Sequence, residues 1–162
     1  MKLLLIMRHA KSSWDNSHLD DFERPLNPRG QKDAPRMGTL LKTKKLLPEL
    51  ILASPAVRVK QTLELMTKTC DYQGKIEWIK DYYGATPNDY IAGIQTVPDK
   101  VQKVMIVGHN PGMEDLLNQW VPIDEKFPTA AIACLEFDLK SWQDLSLKTP
   151  AKLHHLWKPK EI

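Results

Sequence analysis

Four residues of this 162-residue chain could together hold and attack a phosphoryl group: Arg8, His9, Arg58 and His109. Arginine offers a planar fork of donors matched to phosphate oxygens. A neutral imidazole is a good nucleophile toward phosphorus. A second imidazole, if protonated, donates to an oxygen whose charge grows in the transition state. Phosphoryl transfer is mostly positioning and charge stabilisation, so such a cage can suffice without metal. Alone, each feature has a bland reading. An Arg-His pair after a strand is commonly structural, Gly108–His109–Asn110–Pro111–Gly112 is commonly a turn, and a single arginine is commonly a surface residue. The weight comes from three instances of one placement.

That placement is the end of an apolar run. Leu3–Met7 precedes Arg8 and His9, Leu50–Ala53 precedes Ser54, Pro55 and Arg58, and Val104–Val107 precedes Gly108 and His109. Continuous runs of this length suit parallel strands covered on both faces. Ala131–Leu139 and Lys152–Trp157 are further expected strands. Helical signals lie between. Asn27 with Pro28 is expected to open a helix running toward Lys45, with Pro35 a kink or irregularity. Ser54–Pro55 has the same grammar and opens a helix toward Cys70. Thr86–Pro87–Asn88–Asp89 resembles a capping box before Tyr90, Ile91, Ile94 and Val97. A last helix is expected from about Asn110, with Met113, Leu116, Leu117 and Trp120 on its apolar face. Strands alternating with helices predict a three-layer α/β/α sandwich on a mostly parallel sheet. Ligands of such sheets bind at the carboxyl ends of the strands. The four groups are expected to converge there, beside two helix N-termini that favour an anion.

Bulk properties bound the rest. The length fits one domain over 1–162. A net charge of +3, from 23 basic and 20 acidic residues, is too mild to argue for nucleic acid. No stretch is long enough to span a membrane. The Lys2–Met7 segment is too short for a signal peptide and reads as a strand. Two distant cysteines, Cys70 and Cys134, suggest neither a disulfide framework nor a zinc site, so a reducing cytoplasm is the simpler expectation. His154 and His155 are adjacent, hence on opposite faces of a strand and a poor metal pair. No metal is expected.

Longer strings carry a resemblance. Arg8–His9–Ala10, Ser54–Pro55–Ala56–Val57–Arg58–Val59–Lys60–Gln61–Thr62 and Gly108–His109–Asn110–Pro111–Gly112 resemble, in order, the three motifs of the histidine phosphatase superfamily, with its phosphoglycerate-mutase-like fold. Arg8–His9–Ala10–Lys11–Ser12–Ser13–Trp14 and Arg24–Pro25–Leu26–Asn27–Pro28–Arg29–Gly30 are similar to its SixA-type branch, the small phosphohistidine phosphatases. The match runs from Lys2 to about Lys160. The resemblance implies in-line attack by His9 to give a phosphohistidine, with Arg8, Arg58 and His109 on the phosphoryl oxygens and water releasing phosphate, and it implies no metal or organic cofactor. Some positions depart from the family. Where mutase-like members carry asparagine, six residues after the nucleophile, this chain has Asp15, a candidate anion beside the substrate. Many members place an aspartate directly after the second histidine, where this chain has Asn110. In the segment that can supply a glutamate acid, a loose alignment on Tyr83–Gly84 puts Lys80 there, with Asp81 the only nearby carboxylate and so the candidate acid. Arg24 is a candidate either for substrate contact or for bracing the loop, and Ser54 for substrate contact.

Three readings follow. The leading one is a phosphatase acting on phosphohistidine in a protein such as a histidine phosphotransfer domain. The second is a phosphatase of a small phosphorylated metabolite. The third is a non-catalytic phosphate-binding interaction module, against which the intact quartet argues. All motif spacings can be bridged without a large inserted lid, leaving the mouth of the site open to a protein surface.

Overall fold

The structure, a computed structural model, describes residues 1–162. Six strands form one sheet: β1 (Lys2–Arg8), β2 (Leu50–Ala53), β3 (Lys75–Trp78), β4 (Lys103–Gly108), β5 (Ile132–Phe137) and β6 (Ala151–Trp157). Their spatial order is β3-β2-β4-β1-β5-β6. The pairs β2–β3, β2–β4 and β1–β4 are parallel, whereas β5 runs antiparallel to both neighbours. Four helices cover it: α1 (Pro28–Thr43), α2 (Val57–Cys70), α3 (Pro87–Ile94) and α4 (Gly112–Trp120). This is the expected α/β/α sandwich.

Alternation within β1 shows why the run must be wholly apolar. Leu4 and Ile6 join a cluster that includes Tyr90, Ile91 and Ile94 of α3 and Met113, Leu116 and Leu117 of α4. Leu5 and Met7 join the opposite cluster, with Met37 and Leu41 of α1 and Val59 and Leu63 of α2. Fully burying one such side chain is worth roughly 1.5–3 kcal/mol.

The helix starts follow their sequence signals, with one correction. Asn27 caps α1, its side chain accepting from the Gly30 amide, and Thr86 with Asp89 forms a reciprocal capping box on α3. Helix α1 continues through Pro35, where the sequence reading expects a kink or irregularity, and it ends at Thr43. Ser54 does not cap α2, because that helix begins at Val57 after Ala56 and the Ser54 hydroxyl is engaged elsewhere. Strand β3 has no counterpart in the sequence reading. It is an edge strand with no apolar run, and of its apolar residues only Ile76 packs against the core.

Candidate active site

The order β2-β4-β1 makes the three motif-bearing strands immediate neighbours. Arg8 pairs with Gly108 and Ala53 with Val107 in register. The ladder continues one residue further, since the His9 amide donates to the Gly108 carbonyl (3.1 Å) and the Ser54 amide to the Val107 carbonyl (3.1 Å). Main-chain hydrogen bonds therefore set the spacing of His9, His109 and Ser54. Arg58 arrives from the first turn of α2. All four members of the quartet line one pocket, together with Lys11, Ser12, Trp14, Asp21, Arg24, Asn110 and Thr129.

Hydrogen bonds fix the chemistry of the two rings. His9 Nδ1 lies 2.7 Å from the Ala10 carbonyl, an acceptor, so Nδ1 carries the proton. Nε2 is then the lone-pair nitrogen, and Arg58 Nε approaches it at 3.4 Å. Burial holds the His9 pKa well below its ordinary value, with smaller contributions from the positive charges around it, while the Ala10 carbonyl opposes them. The ring is held as a neutral imidazole with an available lone pair. His109 lies with its ring centre 5.1 Å from that of His9. Its Nε2 meets the Ser54 hydroxyl at 2.8 Å, and Ser54 Oγ accepts from the Ala56 amide. When Ser54 donates to Nε2, the ring proton sits on Nδ1; in the other tautomer Nε2 donates to Ser54 Oγ and Nδ1 is an acceptor. Burial, then Arg58, lowers the His109 pKa to about 4. His109 Nδ1 and Arg8 Nε are buried without a protein partner. Buried polar atoms left unpaired are costly unless a ligand engages them; a phosphoryl oxygen suits Arg8 Nε, and it suits His109 Nδ1 in the tautomer that carries its proton there.

A second layer holds these groups. Thr62 Oγ1 accepts from the Ala10 amide (3.0 Å) and donates to the Arg58 carbonyl (2.7 Å), tying the loop after β1 to α2. Gln61 Oε1 accepts from the Leu26 amide. Gly30 is needed because a Cβ there would stand 2.1 Å from the Lys11 carbonyl oxygen.

The secondary candidates sort cleanly. Ser54 is fully buried beneath His109 and touches the ring, not the open pocket. Arg24 lines the pocket and also braces the loop, through Asp21, Ser12 Oγ and the Ser13 carbonyl. Asp15 is exposed and does not line the pocket, although Trp14 before it does, because from Asp15 onward the loop faces solvent. Asp81 is exposed as well and faces a separate depression with Phe22, Lys80 and Asp89. Sequence reasoning missed Asp21. Its carboxylate binds Arg58, Arg24 and the Tyr83 hydroxyl. The only signal was an acidic pair shortly before Arg24. His154 and His155 diverge as expected, one to Glu136 and the other onto Trp157.

A basic pocket bearing two imidazoles at the carboxyl edge of a mostly parallel sheet defines a phosphate-handling α/β enzyme. Comparison with known proteins gives the family. Residues 4–81 match the model of the histidine phosphatase superfamily, branch 1. An uncharacterized chloroplastic protein of Arabidopsis thaliana is 31% identical over 151 residues, covering 87% of this chain and 69% of that protein. The phosphohistidine phosphatase SixA of Escherichia coli is 27% identical over 139 residues, covering 83% of this chain and 85% of its own. A crystal structure designated phosphohistidine phosphatase SixA from Agrobacterium tumefaciens superposes with a TM-score of 0.82 at 29% identity, over 98% of both chains. The chain belongs to the histidine phosphatase superfamily, and it is a phosphatase.

Proposed function

We propose that the chain, as a single domain, removes phosphate from phosphohistidine on a protein through a phosphoenzyme on His9. In this reading His9 Nε2 attacks phosphorus in line. The bond from phosphorus to the substrate imidazole breaks as the bond to His9 forms. Arg8, Arg58 and His109 hold the phosphoryl oxygens. A water then attacks phosphorus, releases inorganic phosphate and restores the neutral His9 ring. The two unpaired, buried cysteines support a reducing compartment, the cytoplasm, as its place.

The observation that carries the reading is the state of the one carboxylate lining the pocket. Asp21 is held far below the usual carboxylate range, first by the Tyr83 hydroxyl, then by Arg58 and Arg24. It has no proton to give at neutral pH. Glu114 lies outside the lining and is bonded to the Asn110 side chain and the Phe127 amide. Alkyl phosphates leave as strongly basic alkoxides, and a positioned acid is worth typically ~10²–10⁴ in rate for them. Imidazole is far less basic, with a pKa near ~6.5, and its second ring nitrogen can already carry a proton. The pocket therefore suits N–P bonds and acidic leaving groups.

A series of aryl and alkyl phosphates of rising leaving-group pKa, with a phosphohistidine protein alongside, tests this. Turnover is expected to fall steeply along the series, with the protein as best substrate. Glycerol phosphate cleaved as fast as an activated aryl ester would overturn the reading and favour a metabolite phosphatase with a working acid.

A further inference from the structure

The segment before Arg24 carries a carboxylate that the reaction above does not use. Asp21 begins a short 3-10 turn, Asp21–Glu23, and its side chain stays 47% exposed. Even so, it is tightly held. Oδ1 accepts from Arg24 Nε at 3.0 Å, and Oδ2 accepts from Arg58 Nη2 at 3.0 Å and from the Tyr83 hydroxyl at 2.6 Å. The Asp21 carbonyl accepts from Arg58 Nη1 at 2.7 Å.

These contacts have a direction. A guanidinium offers an end edge, Nη1 with Nη2, and a side edge that includes Nε. Asp21 takes a bond from each nitrogen of the end edge of Arg58. Nε, on the side edge, is the nitrogen 3.4 Å from His9 Nε2. Every hydrogen bond from this guanidinium ends on Asp21 or on His9. Arginine has a long, rotamer-rich side chain whose plane must be fixed if it is to meet a phosphoryl oxygen at the moment of attack. Through Arg24, the same carboxylate is linked to Ser12 and Ser13 in the loop that follows His9. Through Tyr83, it is linked to a ring packed edge-on against His109, with centroids 5.5 Å apart.

We propose that Asp21 is the positioning residue of the site: its carboxylate fixes the Arg58 guanidinium so that the Nε edge faces the phosphoryl group on His9, serving the transition state rather than affinity. The proposal rests on His9 being the nucleophile. Its signature is a pair of effects with opposite expected signs. The Asp21 charge stands in contact with two pocket arginines and opposes an incoming anion. Removing it strengthens the pull on phosphate while releasing the aim of Arg58. A lesion that merely loosened the pocket would weaken both binding and rate.

The test is Asp21→Asn, nearly isosteric and leaving the main-chain bond to Arg58 in place. Steady-state turnover of an activated aryl phosphate is measured with inorganic phosphate as competing inhibitor. The expected result is a fall in kcat of roughly tenfold or more, with phosphate inhibition unchanged or tighter. A kcat within about twofold of the parent, or a parallel loss of kcat and phosphate affinity, overturns the proposal. Tyr83→Phe removes only the hydroxyl that holds Oδ2, and it decides the matter should the first variant not fold. It is expected to lower kcat roughly threefold at unchanged phosphate inhibition, and an unchanged kcat overturns the proposal equally. Trapping the phosphoenzyme separates the two claims. Phosphate on a residue other than His9 removes the mechanism itself. A His9 phosphoenzyme that forms as fast in Asp21→Asn as in the parent removes only the role of Asp21.

Discussion

A neutral imidazole with its proton pinned on one nitrogen attacks through the other, and the Ala10 carbonyl does the pinning for His9. His9→Ala is expected to lose at least ~10³-fold in turnover, measured on a phosphohistidine protein, as losses of covalent nucleophiles do. The same burial sets the pH dependence. Attack needs His9 unprotonated, and its pKa is depressed, so the acid limb of kcat/KM should fall below the ordinary histidine value of about 6.5. A pH profile corrected for substrate ionisation checks this, and a midpoint at or above that value would contradict it. Stability should follow the same sign. Below about 6.5 the unfolded chain takes up protons that buried His9 and His109 refuse, so stability is full above that pH and declines as pH falls toward 4. His109 alone contributes on the order of 3 kcal/mol to that decline. Denaturant midpoints at pH 7 and pH 4.5 measure it. The quartet was legible in sequence because arginine and histidine at strand ends are conspicuous by type. Asp15 and Asp21 were not separable that way. Both are acidic residues of one loop, and only the path of the chain turns one outward and the other onto Arg58.

Elements set where those residues stand. Apolar runs found β1, β2 and β4 because strands covered on both faces have no polar alternation. The edge strand β3 lacks that signature, with only partly buried Ile76 and Glu77 between exposed ends. Capping signals worked where the side chain was free to cap, as for Asn27 and Thr86, and failed for Ser54, whose hydroxyl serves His109. The Gln61–Thr62 pair is a joint between elements that sequence displays without explaining. Thr62 joins the loop after β1 to α2 by accepting from Ala10 and donating to the Arg58 carbonyl. Thr62→Val keeps the volume but leaves the Ala10 amide buried and unpaired. A cost of about 1–3 kcal/mol is expected in chemical denaturation, with turnover falling as His9 loses its anchor. A stability unchanged from the parent would show that the joint is not needed.

At the scale of the molecule, the deciding feature is strand order. Residues 9, 58 and 109 meet because β4 inserts between β1 and β2 in the sheet. Hydrophobic patterning shows that strands exist but not which ones adjoin, since every central run is equally apolar. The antiparallel pair β5–β6 then closes the far side, and Ala130, with a φ of 64°, turns its amide onto the carbonyls of Arg8 and His9. No three histidine, cysteine, aspartate or glutamate side chains gather in a metal-holding group. Dialysis against a chelator is therefore expected to leave turnover intact, and a loss restored by magnesium or zinc would contradict that. The most direct test of the whole mechanism is to mix the enzyme with a protein carrying radiolabelled phosphohistidine, quench under alkaline conditions within one turnover, and map the label. The expected result is phosphate on His9, bonded through Nε2, and none on the His9→Ala variant. Label on His109 or on a serine, or turnover with no phosphoenzyme at all, would contradict it.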